Sequence, residues 1–244
     1  MKKVILGQSG LLVSCLSMGS DTGIKPESGG RLLKRAFEMG VNLWDTDETY
    51  GTLPAVREAL QQVDRSQVVL AAKTYGKDYH GARKSLENTL AALGADYLDV
   101  FHLHGVSGPG DFESRRDTLE ALLEAKREGL IRAVGLSTHA VGMVEAAAEV
   151  QEIDVVLAIL NRTGACIAGG GREEMEEALW RVYRAGKGVY LMKVLARGKL
   201  VGELEEALSY ALRFPYAHSV CVGMKTVREL ERNVSIARRI DRGS

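Results

Sequence analysis

Val41-Asn42-Leu43-Trp44-Asp45-Thr46-Asp47-Glu48-Thr49-Tyr50-Gly51 begins as a short apolar run and turns abruptly polar, ending on a tyrosine and a glycine. Such a run reads as a buried strand whose C-terminal end opens into a loop carrying ionisable groups. Loops that leave the C-terminal ends of parallel strands are where α/β folds keep their chemistry. Asp45 and Tyr50 are therefore the first candidates for an active site. A strand-end aspartate also caps loops that have no catalytic role, so on this stretch alone both readings of Asp45 stand.

Working outward, a helix over Pro26–Met39 puts Leu32, Leu33, Ala36, Phe37 and Met39 on an apolar face and ends at Gly40. Before it come a hairpin around Gly7–Gly10 and a strand near Cys15–Met18. Downstream, the spacing predicts helix Pro54–Val63, strand Val68–Lys73, helix Ala82–Leu93 closed by Gly94, and strand Tyr97–His104. Gly105–Asp117, rich in Gly and Pro, reads as a loop before helix Thr118–Glu128. Strand Ile131–Ser137, helix Val141–Val150, strand Asp154–Leu160, loop Asn161–Gly171 and helix Glu173–Ala185 follow. Strand Gly188–Lys193, helix Leu204–Arg213, strand Ser219–Val222 and helix Val227–Ile240 complete the series.

Strictly alternating strands and helices imply a parallel sheet, because parallel strands need crossover connections. Eight such units in 244 residues fit one (β/α)8 TIM barrel with short loops, as a single domain spanning residues 1–244. No G-x-G-x-x-G follows the first strand, which removes the best support for a doubly wound dinucleotide fold.

Hydrophobic residues make up 45% and charged residues 26% of the chain, as in ordinary globular proteins. Lys+Arg and Asp+Glu balance at 32 each, so bulk charge argues for neither a nucleic acid nor a membrane partner. Cys15, Cys166 and Cys221 are scattered, with no C-x-x-C pair, which argues against a disulfide framework or a zinc site. Met1–Gln8 is too weakly apolar for a signal peptide, and a cytoplasmic location is expected.

In a barrel, the ends of the strands carrying Asp45, Lys73 and His104 face one another, with Tyr50 in the loop just after Asp45. A phenol, an ammonium, a carboxylate and an imidazole in one mouth make a proton-transfer site. A phenol titrates at about 10 unperturbed; a neighbouring ammonium favours the phenolate and lowers that value. The carboxylate would hold the lysine, and the imidazole would orient a carbonyl oxygen. Such a set protonates a developing alkoxide, which is half of a carbonyl reduction. The hydride is the other half, and a nicotinamide must supply it. Singly, each residue is as well read as a satisfied polar group. His102 and His104 alternate on one strand and face the same side. An H-x-H pair can ligate metal, but no further ligand has matching spacing, so no metal is expected. His102, one layer deeper, reads as a hydrogen-bonded interior group.

With these residues in place, the chain resembles the aldo-keto reductase family. The resemblance rests on Trp44-Asp45-Thr46-(x)3-Tyr50-Gly51, Ala72-Lys73-Thr74, Asp96-Tyr97-Leu98-Asp99-(x)4-His104, Gly135-Leu136-Ser137 and Gly223-Met224-Lys225-(x)7-Asn233. It implies Tyr50 as general acid, Lys73 and Asp45 as its tuning pair, and His104 as the group that orients the carbonyl. It also implies NADPH, with NADH as the alternative cofactor, and a small-molecule carbonyl substrate. Ser137 and Thr138 would meet the nicotinamide carboxamide, and Gly19 and Ser20 the adjoining ribose. Leu195, Gly198 and Lys199 would border the pyrophosphate. Gly223, Met224, Lys225, Glu229, Arg232 and Asn233 would grip the adenosine end, with helix N–H groups facing phosphate. Taken singly, the glycines read equally well as turn residues.

Several positions depart from the family pattern. Leu157 replaces a carboxamide-binding glutamine, Met192 a stacking aromatic, and Lys193 a small hydroxyl residue; Thr138 stands for an asparagine that its hydroxyl can imitate. Glu229 stands for a glutamine and Arg232 for a glutamate. The family's C-terminal substrate loop is not matched. Met192-Lys193 and Gly223-Met224-Lys225 resemble a branch that often carries a C-terminal iron–sulfur domain, for which this chain has no cysteine cluster. Two other readings compete. One is a nucleotide-binding regulatory or partner subunit with poor turnover, in a homo-oligomer or with a partner chain. The other is a metal-dependent barrel hydrolase built on His102 and His104.

Overall fold

The computed structural model describes residues 1–21, 24 and 26–242. Strands β1 (Lys3–Ile5) and β2 (Leu12–Ser14) form an antiparallel hairpin. Then β3 (Leu16–Gly19), α1 (Pro26–Glu38), β4 (Leu43–Asp45), α2 (Leu53–Leu60), β5 (Val69–Thr74), α3 (Tyr79–Leu93) and β6 (Leu98–Leu103) follow. The chain continues through α4 (Pro109–Ser114), α5 (Arg116–Arg127), β7 (Ile131–Thr138), α6 (Val141–Glu149), β8 (Val155–Ile159) and α7 (Arg172–Arg184). It ends with β9 (Gly188–Met192), α8 (Leu204–Arg213), β10 (Ser219–Gly223) and α9 (Val227–Arg242). Strands β3 to β10 pair in parallel, and β10 closes on β3, making the (β/α)8 barrel.

Alternation along the strands sorts the side chains into two cores. Leu16, Met18, Trp44, Leu70, Phe101, Leu103, Val156 and Leu191 face outward and pack under the helices. Leu43, Val69, Ala71, Val100, Ala133, Val155, Leu157, Tyr190 and Cys221 face inward. The hairpin caps this inner core with Leu6, Leu11 and Val13, all essentially buried. Each fully buried side chain of this size contributes roughly 1.5–3 kcal/mol. Gly7 crosses so close to Lys187 and Gly188 that a Cβ would overlap their backbone, and its φ is +56°. His218 Nε2 accepts the Gly7 N–H at 3.2 Å, tying the plug to the wall.

The Gly105–Asp117 stretch differs from the expected plain loop, because it contains α4. Pro109 suits the first turn of a helix, Asp111 accepts the Ser107 N–H at 2.8 Å, and Phe112 is buried. Helix α3 starts at Tyr79 rather than Ala82, because Asp78 caps it by accepting the Gly81 N–H at 2.7 Å. Asp99 is structural. It accepts from Arg65 and Arg132, both at 2.8 Å, and from the Leu70 N–H at 2.9 Å. Among the described residues no helix is long and apolar enough to cross a membrane.

Candidate active site

The parallel register brings four strand ends together: Gly19 pairs with Asp45, Asp45 with Ala71, and Lys73 with His102. Lys73 is 2% exposed, and its Nζ lies 2.5 Å from Asp45 Oδ1 and 2.9 Å from the Thr46 carbonyl oxygen. A buried ammonium with these two acceptors is held in place, since losing the carboxylate would leave a charge uncompensated and losing the carbonyl a buried donor without its partner.

Tyr50 reaches this pair from a single 3-10 turn, Glu48–Tyr50. Asp47 caps the turn, accepting the Thr49 N–H at 2.8 Å and the Thr49 hydroxyl at 2.6 Å, and Gly51 ends it at φ +69°. The Tyr50 ring centroid is 4.9 Å from Lys73 Nζ, and His104 stands edge-on to it at 6.3 Å. The nearby ammonium favours the phenolate, but the expectation that the phenol is lowered overall is corrected here. Burial, followed by the charges of Asp45, Asp47 and Asp21, raises the Tyr50 phenol well above its ordinary value. Tyr50 therefore carries its proton at neutral pH.

His104 has a partner that the strand pattern did not announce. Its Nδ1 is 2.7 Å from Asp47 Oδ2, on a fully buried carboxylate. Burial pushes the Asp47 carboxyl up, but hydrogen bonds from His104 and Thr49 outweigh it and hold the group below its ordinary value. On the other side Tyr75 stacks on the imidazole at 4.1 Å, with its hydroxyl 3.3 Å from Nε2. Arg115, at the start of α5, donates to the carbonyl oxygens of His104 at 2.9 Å and Thr74 at 3.1 Å, pinning the ends of β5 and β6.

Beside this group runs a rim made by the ends of β3, β7, β9 and β10. Gly223 pairs with Gly19, where a Cβ would press on Cys221 Sγ at 3.0 Å. Ser20 is buried, its hydroxyl 2.9 Å from that of Thr52. Ser137 Oγ accepts the Gly105 N–H at 3.0 Å, which leaves its own proton to donate. The Thr138 hydroxyl donates to Val106 O at 2.6 Å and accepts the Ala140 N–H at 3.0 Å. A loop connection thus takes its proton and one lone pair, so it can imitate an asparagine only as an acceptor. Met192 is half-buried, and Lys193, at φ +54°, turns its Nζ to within 2.8 Å of His139 Nε2. Burial and then Arg197 push the Lys193 ammonium down, while burial and then Lys193 push His139 down to about 4. Leu195 packs on the core, and Gly198, at φ +91°, has open space where a side chain would stand.

At the start of α9, Lys225 and Arg232 are exposed and Asn233 is buried. Met224 is fully buried in the core, so its side chain does not join the rim. The expected row of open N–H groups is corrected too. Glu229 Oε2 accepts the Lys225 N–H at 2.7 Å, and Thr226 Oγ1 accepts the Glu229 N–H at 3.2 Å, a capping box in effect.

A sequence profile of the aldo/keto reductase family matches residues 16–206. The chain belongs to that family. It is 26% identical to the L-galactose dehydrogenase of Arabidopsis thaliana over 285 aligned positions, covering 94% of this chain and 86% of the plant enzyme. It is 33% identical to methylglyoxal reductase DkgB of Salmonella typhi over 119 positions, 47% of this chain and 44% of that enzyme's own length. In fold it superposes on the holo form of an aldo-keto reductase from Bacillus halodurans, AKR11C1, with a TM-score of 0.79 at 22% identity, covering 99% and 96% of the two chains.

Aldo/keto reductases use nicotinamide cofactors, and the residues this member brings together include a cation-held tyrosine at the mouth of the barrel. Asp47, Tyr75, Arg115 and Tyr190, whose hydroxyl lies 2.8 Å from Asp45 Oδ2 beneath the mouth, are the residues around the site that sequence reasoning missed. One signal was available: Asp47-x-Thr49 is the spacing of an aspartate that turns back on its own backbone. Nothing in the spacing of Tyr75, Arg115 or Tyr190 pointed to the mouth. Among the described residues no group of three or more His, Cys, Asp or Glu side chains is arranged to hold a metal.

Proposed function

We propose that this chain reduces an aldehyde or ketone to an alcohol with NADPH, using Tyr50 as proton donor. The observation that carries the reading is the buried Lys73 ammonium, shared between Asp45 Oδ1 at 2.5 Å and the face of the Tyr50 ring. The donor set fits a dinucleotide. Ser137 retains a proton to donate, Gly198 leaves room for backbone approach, and Lys193, Arg197, Lys199 and Lys225 would supply cations to its phosphates. When bound, the nicotinamide supplies the hydride.

The chain's own residues do the rest. His104 and Tyr75 offer polar atoms to a carbonyl oxygen at the mouth. Tyr50 arrives protonated and releases its proton to the oxygen as negative charge builds there. Lys73 then stabilises the phenolate that remains, while Asp45 keeps the ammonium in place. An alkoxide is a stronger base than a phenolate, so a raised phenol can still give up its proton in this step.

A second reading, a nucleotide-binding subunit with poor turnover, is favoured by the engaged Thr138 hydroxyl and by Leu157, buried where an amide would be needed. One experiment separates the two: titration with NADPH and NADH by quenching of protein fluorescence, followed by turnover on a carbonyl panel that includes methylglyoxal. Binding with turnover supports the reductase, binding without turnover supports the subunit, and no binding of either dinucleotide overturns both.

A further inference from the structure

Beneath the mouth, the barrel interior holds polar groups to which the proposed reaction gives no role. Tyr190 of β9 is fully buried, with its hydroxyl 2.8 Å from Asp45 Oδ2 and 3.1 Å from His102 Nε2. His102 Nδ1 lies 3.0 Å from the Ala72 carbonyl oxygen. The imidazole packs on Gly135, where a Cβ would overlap the ring. A carbonyl oxygen only accepts, so His102 carries its proton on Nδ1. Burial drives this histidine down to about 4, which keeps it neutral and leaves Nε2 a bare lone pair. Asp45 Oδ2 is also an acceptor. Tyr190 has one proton, and among the described residues no other donor hydrogen-bonds to either atom.

Asp45 acts on Tyr50 in two opposed ways. It holds Lys73 beside the ring, and its own charge helps raise the phenol. A hydroxyl donating to Oδ2 takes up part of that charge. We propose that Tyr190 is a positioning residue for proton transfer, its single proton divided between Asp45 and His102, so that the division sets how much carboxylate charge reaches Lys73 and Tyr50. This rests on the reading of the mouth as a carbonyl reductase with Tyr50 as donor. With the proton on Asp45, the ammonium is less neutralised and better stabilises the phenolate. With the proton on His102, the full charge falls on Lys73 and Tyr50, and the phenol holds its proton harder. His102 competes for the donor.

Competition predicts effects of opposite sign. Tyr190→Phe removes the donor and lowers kcat about ten-fold, with the NADPH Kd unchanged. His102→Leu removes the competitor and raises kcat about two-fold, the limit for a proton first shared evenly between two acceptors. In the Tyr190→Phe background His102→Leu has no further effect on kcat. A structural role would lower kcat and cofactor affinity together in both variants, and that result overturns the proposal. An unchanged kcat in Tyr190→Phe, or an unchanged or lower one in His102→Leu, overturns it too. A readout without turnover is the 13C resonance of Tyr190 Cζ in protein labelled at tyrosine. That signal moves in opposite directions in His102→Leu and Asp45→Asn, and a signal unmoved in Asp45→Asn sinks the idea. If the unmodified protein reduces no carbonyl, the functional reading fails while the resonance still decides the placement of the proton. If His102→Leu does not fold, the kcat-against-KM split of Tyr190→Phe and the Asp45→Asn shift carry the test.

Discussion

At the scale of single residues, Tyr50 has to keep its proton until an oxygen needs it, and burial and the surrounding carboxylates ensure that it does. Tyr50→Phe should therefore cost about 10²–10⁴-fold in turnover with the NADPH Kd unchanged, since general acid catalysis contributes that much. An unaffected rate in steady-state assays would remove Tyr50 from the chemistry. Asp47 invites a parallel test. Its bond to His104 is charge-assisted, and losing such a bond costs roughly 1.5–3 kcal/mol, so Asp47→Ala should lower kcat/KM about 10–100-fold. A normal kcat/KM in Asp47→Ala would mean that His104 needs no such support. Asp45, Lys73 and His104 were legible in the sequence because they stand at strand ends, and Tyr50 because it falls in the loop just after Asp45. Asp47, Tyr75 and Tyr190 were not, because their partners depend on loop conformation and on which faces meet across a closed barrel.

At the scale of elements, hydrophobic periodicity and glycine stops located every barrel strand and the helix after it. The exception, α4, was hidden because Gly108-Pro109-Gly110 reads as loop chemistry while Pro109 also suits a helix start. The beginning of α9 shows the same limit at a functional position. Periodicity places the helix but not the Glu229 carboxylate, which turns back to take the Lys225 N–H. On the proposed reading Lys225 would favour the 2′-phosphate of NADPH, and Glu229 would oppose it by its charge and by occupying a donor. We expect NADPH over NADH by about tenfold at low salt, as one charged hydrogen bond allows. Lys225→Ala should erase most of that preference, and Glu229→Gln should widen it. Fluorescence titration with both dinucleotides checks this, and a narrower preference in Glu229→Gln would show that its carboxylate does not face the phosphate.

At the scale of the whole molecule, neutral histidines are built into the barrel and its seams. Burial pushes His102 and His139 down to about 4, and it also lowers His218, which joins the hairpin plug to the β9–β10 wall. An unfolded chain protonates each of them near 6.5. Between that value and the folded one, the unfolded state binds more protons, so stability must fall as the pH falls. Above about 6.5 all three are neutral in both states and contribute no slope. Asp47 works over a lower window. Its folded value is depressed, so its stabilisation is complete above the unfolded carboxyl value and is lost as the pH falls through the folded one. Acid should therefore weaken the protein in two stages, first through the histidines and then through the carboxyl. Urea unfolding at a series of pH values from neutral to about 4 should show a free energy that is flat at the top of the range and declines below about 6.5. His139→Asn should flatten the first decline without touching the second, because the asparagine has no proton to gain. A stability that holds level down to about 4.5 in the unmodified protein would mean that the folded chain takes up these protons as readily as the unfolded one, and so that the histidines are not held neutral by their burial.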